Sequence, residues 1–169
     1  MNNAQYINQT SKRYEYYSPS SIIEAARQTM GSIDLDPASS IQANKAVKAD
    51  RFYTEQDNGL AQPWSGNIWL NHPFGRVQNR IWIKQLVMSY KDNRVKQACC
   101  ITYACTSEKW FQPLFDYPMC FLSPRTGYVL PDGSILKGVT KGSVVTYLGL
   151  FWHTFKNNFE SLGNIMRSI

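Results

Sequence analysis

Residues 20–30, SSIIEAARQTM, place Ile22, Ile23 and Ala26 on one side of a helical wheel. Ser18-Pro19 stands ahead of this run and reads as a helix start, with Ser as the cap and Pro in the first helical position. Gly31 is the expected stop. Ser32 to Asp36 then reads as a short strand that ends in acid and is broken by Pro37, and residues 38–49 hold a short helix. Residues 52–63 read as loop, and Asn67 to Leu70 as a strand. Ile81, Trp82, Leu86 and Val87 give residues 77–90 helical spacing. Residues 97–104 are apolar and β-branched enough for a central strand. Ser107 is expected to cap a helix containing Trp110 and Phe111, and a strand follows over residues 117–122. Leu130-Pro131-Asp132-Gly133-Ser134 signals a hairpin turn. Residues 143–151 read as a long strand and residues 153–162 as a last helix. Residues 1–13 lack periodicity and read as a flexible arm ahead of one domain, residues 14–169.

Strands alternating with helices predict an α/β fold with a mostly parallel sheet, made mixed by the late hairpin. Open sheets of this kind bind ligands at the carboxyl ends of their strands. Two strand ends qualify: Asp34 to Asp36, and Asn71-His72-Pro73-Phe74.

Composition narrows the partner. The net charge is +6 and the pI about 9.2, although only 18% of residues are charged. A basic balance in a domain of 169 residues favours a polyanion such as nucleic acid. The four cysteines, Cys99, Cys100, Cys105 and Cys120, form no CxxC pair and no zinc ligand set, and Cys99 and Cys100 read as buried thiols. His72 and His153 are the only histidines, so no metal site is expected. The polar, aromatic N-terminus resembles no signal peptide, and no apolar run approaches the ~20 residues of a membrane span. A reduced cytosol is the expected setting.

The Asn71 to Phe74 stretch carries the chemistry. An exocyclic amine on adenine or cytosine is a poor nucleophile, because its lone pair is delocalised into the ring. Two acceptors that hold its hydrogens favour a more tetrahedral nitrogen. The Asn71 side-chain oxygen and the His72 carbonyl form such a pair, Pro73 fixes the turn, and Phe74 offers a stacking surface worth ~1–3 kcal/mol per base. A target base in a duplex is first flipped out, at a cost of a few kcal/mol. Between Ser123 and Lys141, Arg125, Lys137 and Lys141 accompany glycines and Tyr128, a composition suited to a basic hairpin against DNA phosphate.

The ordered set of motifs resembles the phage-type DNA N6-adenine methyltransferases, the Dam-like family. It runs Tyr16-Tyr17-Ser18-Pro19, then residues 31–39 (GSIDLDPAS), Ala43-Asn44, Asp57-Asn58-Gly59-Leu60, residues 64–71 (WSGNIWLN) and Pro73-Phe74-Gly75. Further matches are residues 109–114 (KWFQPL), Cys120-Phe121-Leu122 with Arg125, and Gly142-Ser143-Val144-Val145. The resemblance implies a Rossmann-like methyltransferase with a mixed, mostly parallel sheet and helices on both faces. It implies S-adenosyl-L-methionine as cofactor, DNA adenine N6 as target, and a phage or prophage gene expressed in the bacterial cytoplasm. Carried over by position, Tyr17, Ser18 and Pro19 correspond to the motif beside the cofactor's methionine end. Asp34 and Asp36, with Pro37 and Ala38, correspond to the acidic strand end that faces the cofactor. Asp57 or Asn58 corresponds to the acid that reads the cofactor's adenine amine, and Asn71, Pro73 and Phe74 to the catalytic tetrad around His72. Two positions depart from the pattern: His72 stands where the family usually has Pro, and Asn58 where it tends to have Asp. The residues alone leave cytosine N4 or RNA adenine open as targets, and also a nucleic-acid-binding relative that has lost transfer.

Overall fold

A computed structural model describes residues 16–136 and 139–168. The expected arm at residues 1–13, with Lys12 and Arg13, lies outside the described residues, as do Tyr14 and the candidate DNA contact Lys137.

Four α-helices and seven strands make up the described residues. They run α1 (Ser20–Met30), β1 (Leu35–Asp36), α2 (Ile41–Val47), β2 (Arg51–Phe52), β3 (Gly66–Leu70), α3 (Arg76–Lys91), β4 (Val95–Tyr103), β5 (Met119–Leu122), β6 (Ser143–Leu148), α4 (Trp152–Phe159) and β7 (Gly163–Met166). The strands form one mixed sheet in the order β2-β1-β3-β4-β6-β5-β7. β1 to β4 are mutually parallel. β6 runs antiparallel to β4 and β5, and β7 antiparallel to β5.

Alternation along the strands divides the core between two faces. Trp69, Cys99, Ile101, Val145 and Tyr147 pack with Ile22, Ile23 and Ala26 of α1 and with Phe155 and Phe159 of α4. Ile68, Leu70, Ala98, Cys100, Val144 and Leu148 pack on the other face with Trp82, Ile83, Leu86 and Val87 of α3. The sheet is therefore covered by helices on both sides. Cys99, Cys100 and Cys120 are buried thiols.

Three local expectations are corrected. Pro19, not Ser18, occupies the N-cap of α1, and no side chain caps the helix; the Ser18 hydroxyl is buried without a partner. Residues 107–116 form no α-helix. Their amides bond three residues back, Glu108 to Cys105, Phe111 to Glu108 and Leu114 to Phe111, and end in a 3₁₀ turn at Gln112–Asp116 that carries Pro113. Residues 163–166, outside any expected element, form the edge strand β7. Bounds also shift: only Leu35–Asp36 of the expected Ser32–Asp36 strand pairs, Arg51–Phe52 forms β2 at the start of the expected loop, β6 stops at Leu148 rather than residue 151, and α4 runs over Trp152–Phe159 rather than 153–162. α1 covers the expected residues, Gly31 ends it at φ +82°, and the hairpin turn closes through Leu130 N–H to the Ser134 carbonyl at 2.8 Å.

Candidate active site

Because β1 to β4 are parallel, their carboxyl ends share one edge of the sheet. The residues after β1 (Pro37-Ala38-Ser39) and after β3 (Asn71-His72-Pro73-Phe74) meet there. The chain before α1 and the 125–136 hairpin close over the same edge. Tyr17 and Val129 exchange backbone hydrogen bonds at 2.8 and 2.9 Å.

Asn71 ties this corner together. Its side-chain Nδ2 donates to the Tyr16 carbonyl at 2.8 Å, which orients the amide and leaves Oδ1 as an uncommitted acceptor. Among the described residues no hydrogen bond reaches the His72 carbonyl either. The two acceptors expected for an exocyclic amine are thus adjacent and unoccupied by protein donors.

The His72 ring plays a different part from its carbonyl. It is buried, stacked nearly parallel on Trp82 (centroids 6.4 Å, 8°) and edge-on to Phe74 (5.6 Å, 85°). Burial drives its pKa down to about 4, against the pull of the Pro73 carbonyl, so the imidazole is neutral at physiological pH. Nδ1 lies 3.0 Å from that carbonyl and serves as donor, leaving Nε2 a buried lone pair without a partner.

Phe74 is half-buried in an aromatic cluster assembled from four parts of the chain. Tyr103 at the end of β4 lies 4.7 Å from it and the hairpin's Tyr128 lies 5.8 Å away, edge-on. Tyr16 packs on Tyr128 at 6.0 Å, and Lys141 Nζ sits 5.6 Å over the Tyr103 ring. Tyr128 is fully buried and shares a 2.9 Å hydrogen bond with Ser143 at the start of β6. Tyr103 and Tyr128 extend the expected site; only their aromatic character signals them, since they lie 29 and 54 positions beyond Phe74 in the chain.

The acids separate into two roles. Asp36 is 2% exposed at the end of β1, and burial pushes its pKa up to about 7, against the pull of the Ser39 hydroxyl and the Ala38 amide. Its one backbone donor is Ala38 N–H at 3.2 Å. A buried carboxyl so thinly solvated suits a ligand that brings a cation or hydroxyl donors. Asp34 is already engaged: Oδ1 accepts from Ser32 Oγ at 2.6 Å and Oδ2 from Asn67 N–H at 2.9 Å, which staples β1 to β3. Gly66, at φ +82°, must lack a side chain here, since a Cβ would stand 2.3 Å from Asp34 Oδ2.

The Asp57-Asn58 segment docks against the end of β1 through Gly59, where a Cβ would lie 1.9 Å from the Pro37 carbonyl oxygen. The Asp57 carboxylate is exposed and accepts from Thr54 N–H at 2.8 Å and Thr54 Oγ1 at 2.7 Å, which lowers its pKa. Asn58 is exposed in the left-handed conformation, φ +51°. Ser18 and Pro19 lie beside Tyr17 at the start of α1. Arg125 and Lys141 are exposed on the hairpin stretch, and Arg125 Nη1 donates to the Val139 carbonyl at 3.3 Å. Among the described residues no three His, Cys, Asp or Glu side chains group as metal ligands, and no helix is long and apolar enough to cross a membrane.

A free acceptor pair next to a stacking ring, with a buried acid one strand away, suits group transfer to an amine on a planar base. The chain matches the model of the DNA N-6-adenine-methyltransferase (Dam) family over residues 7–168, and it belongs to that family. It is therefore an adenine-specific DNA methyltransferase: its substrate is DNA, its target is adenine N6 rather than cytosine N4 or an RNA base, and its reaction requires a methyl donor. No curated protein matches the chain.

Proposed function

We propose that the protein takes S-adenosyl-L-methionine as its methyl donor and transfers the methyl group to an adenine flipped out of DNA into the corner between β3, β4 and the hairpin. The observation that carries this reading is the uncommitted Asn71 Oδ1 beside the unbonded His72 carbonyl.

The residues present fit such a donor. The buried Asp36 carboxyl accepts from a single backbone amide, the Ser18 hydroxyl is buried without a partner, and both stand at the carboxyl edge with Pro19, Pro37 and Ala38. Asp36 and Ser18 would hold the polar groups of the donor. Tyr17 would flank them, and Asp57 or Asn58 would face its adenine from the neighbouring loop. Asp34 would act indirectly, by fixing the strand that carries Asp36. When bound, S-adenosylmethionine supplies the methyl as an electrophilic sulfonium substituent. The order β2-β1-β3-β4-β6-β5, with β6 reversed, supports a Rossmann-like methyltransferase sheet.

Asn71 Oδ1 and the His72 carbonyl accept the two amine hydrogens and turn the nitrogen lone pair toward the methyl. Phe74 stacks on the base, and Pro73 holds the turn. No strong general base is needed: the N–C bond would form as the donor's S–C bond breaks and leaves a neutral thioether, and the methylated amine would then give its extra proton to water. Catalysis is thus positioning with electrostatic stabilisation. Arg125, Lys137 and Lys141 would contact phosphates near the flipped base, and a phage or prophage gene fits the family resemblance. The test is transfer of labelled methyl from S-adenosylmethionine to unmethylated DNA, with the modified nucleoside identified after digestion. Labelled N6-methyladenine supports the reading; turnover by Asn71→Ala at the wild-type rate overturns the mechanism.

A further inference from the structure

Helix α3 begins two residues after Phe74, at Arg76, and its composition stands apart. Its 16 residues, RVQNRIWIKQLVMSYK, contain Arg76, Arg80, Lys84 and Lys91 and no Asp or Glu. It carries four positive charges in a chain whose net charge is +6. At about 100° per residue the four cations fall within an arc of about 80°. All four are exposed. None has an ion-pair partner among the described residues, whereas Arg27 on α1 pairs with Glu24 and Lys156 on α4 with Glu160. Exposed Lys109, in the turn that precedes the 3₁₀ segment, joins Arg80 and Lys84 in lining a groove of about 210 Å³ floored by Ile83, Val87 and Trp110.

We propose that this stripe, Arg76, Arg80, Lys84 and Lys91 with Lys109 across the groove, is a second DNA-backbone surface that holds the duplex flanking the target adenine. The proposal rests on the DNA-methylating function assigned above and adds a surface to the hairpin contacts. Three features favour DNA over an acidic protein segment. The stripe is continuous with the turn that bears Phe74. It spans about 22 Å from Arg76 to Lys91, roughly the axial length of six base pairs. It also presents unpaired charge rather than a mixed-sign face, which suits a sequence-independent polyanion.

The test compares the full chain with the variant Arg80→Gln/Lys84→Gln/Lys109→Gln, which leaves the catalytic turn untouched. Each is titrated with a 30-base-pair duplex at several salt concentrations, and methyl transfer is measured on that duplex and on a short adenine-containing single strand that cannot reach α3. The surface predicts that log Kd for the duplex loses about 3 from its slope against log salt, since each phosphate contact contributes about 0.9. It predicts a rise of at least tenfold in duplex KM, with kcat at saturation and activity on the short strand unchanged. An unchanged salt slope and duplex KM overturn the proposal, and so does an equal loss on both substrates, which marks a folding defect. The control Lys45→Gln/Lys156→Gln should leave duplex KM within twofold, and a matching loss there reduces the effect to net charge and contradicts a specific stripe. If the wild-type chain transfers no methyl, the function assigned above fails; the salt slope still reads the surface independently.

Discussion

The Asn71 amide and the Tyr16 carbonyl are joined by a 2.8 Å hydrogen bond across 55 residues of chain. That bond decides which end of the amide stays free. With Nδ2 held, Oδ1 is left as an uncommitted acceptor, the group the proposed mechanism requires. Tyr16 is held in turn through its neighbour Tyr17, which is paired with Val129 of the hairpin. One amide therefore links the segment before α1, the Asn71 to Phe74 turn and the hairpin.

Asn71→Asp keeps the acceptor but replaces the donor with a charged oxygen facing the Tyr16 carbonyl. Asn71→Ala removes both. Each variant should lower kcat by about 10²–10³, the loss expected for a preorganised hydrogen-bonding group at the reacting centre. Calorimetric binding of S-adenosylmethionine should change less than threefold. Loss of donor binding equal to the loss of kcat would place Asn71 in the donor site instead.

Phe74→Ala removes the ring against which Tyr103 and Tyr128 pack, and with it a stacking contribution of ~1–3 kcal/mol. DNA KM should rise about 5- to 150-fold while donor affinity holds. Phe74→Tyr should restore most of the loss. If Phe74→Ala weakens donor and DNA equally, the ring does not stack on the target base.

Asp36 and His72 give opposing pH dependences. Asp36 rises from 3.8 to about 7 on folding, so the native state binds more protons over that window. Its contribution to stability is present below pH 3.8, falls as pH rises, and is lost above about 7. Asp36→Asn should therefore melt higher than wild type at pH 8, by up to a few kcal/mol of stability given about 1.4 kcal/mol per pKa unit, and match it near pH 4. The same variant should bind S-adenosylmethionine at least tenfold more weakly. Equal melting offsets at both pH values would show that the Asp36 carboxyl is not protonated on folding.

His72 falls from 6.5 to about 4, so the unfolded state binds more protons between those values. Its contribution is intact above pH 6.5 and is lost as pH drops toward 4. His72→Pro keeps the carbonyl and fits a position whose backbone N–H makes no hydrogen bond among the described residues. Transfer should stay within about tenfold of wild type, and the acid-side loss of stability should shrink when melting is followed from pH 7 to 4. A loss of 10³ or more in kcat would mean that the imidazole itself takes part.

The elements legible in the sequence are those whose own periodicity carries them. α1, α3, β4 and β6 are long, with one or both faces buried, and their apolar spacing exposes them. β2 has two residues and exists because Leu35 and Asp36 pair with Arg51 and Phe52, a tertiary fact with no local signal. β7 is an edge strand with Asn164 and Met166 exposed, so its pattern is weak. The helix expected after Ser107 gives way to 3₁₀ turns, with Pro113 leaving one amide fewer to bond. In the site, the strand-end logic puts Asp36 and Asn71 to Phe74 on one edge. Spacing does not distinguish Asp34 from Asp36; what separates them is that Asp34 meets Ser32 and Asn67 while, among the described residues, the Asp36 carboxyl accepts a hydrogen bond only from the Ala38 amide. The Tyr103, Tyr128 and Tyr16 cluster, and the pairing of Tyr17 with Val129, depend on long-range closure of the chain.

The most direct test follows labelled methyl from S-adenosylmethionine into unmethylated DNA for the wild-type chain and Asn71→Ala in parallel, with the nucleosides identified after digestion. N6-methyladenine from the wild type, and none from Asn71→Ala although it binds the donor normally, is the predicted result. N4-methylcytosine as the product, or N6-methyladenine formed equally by both proteins, would contradict it.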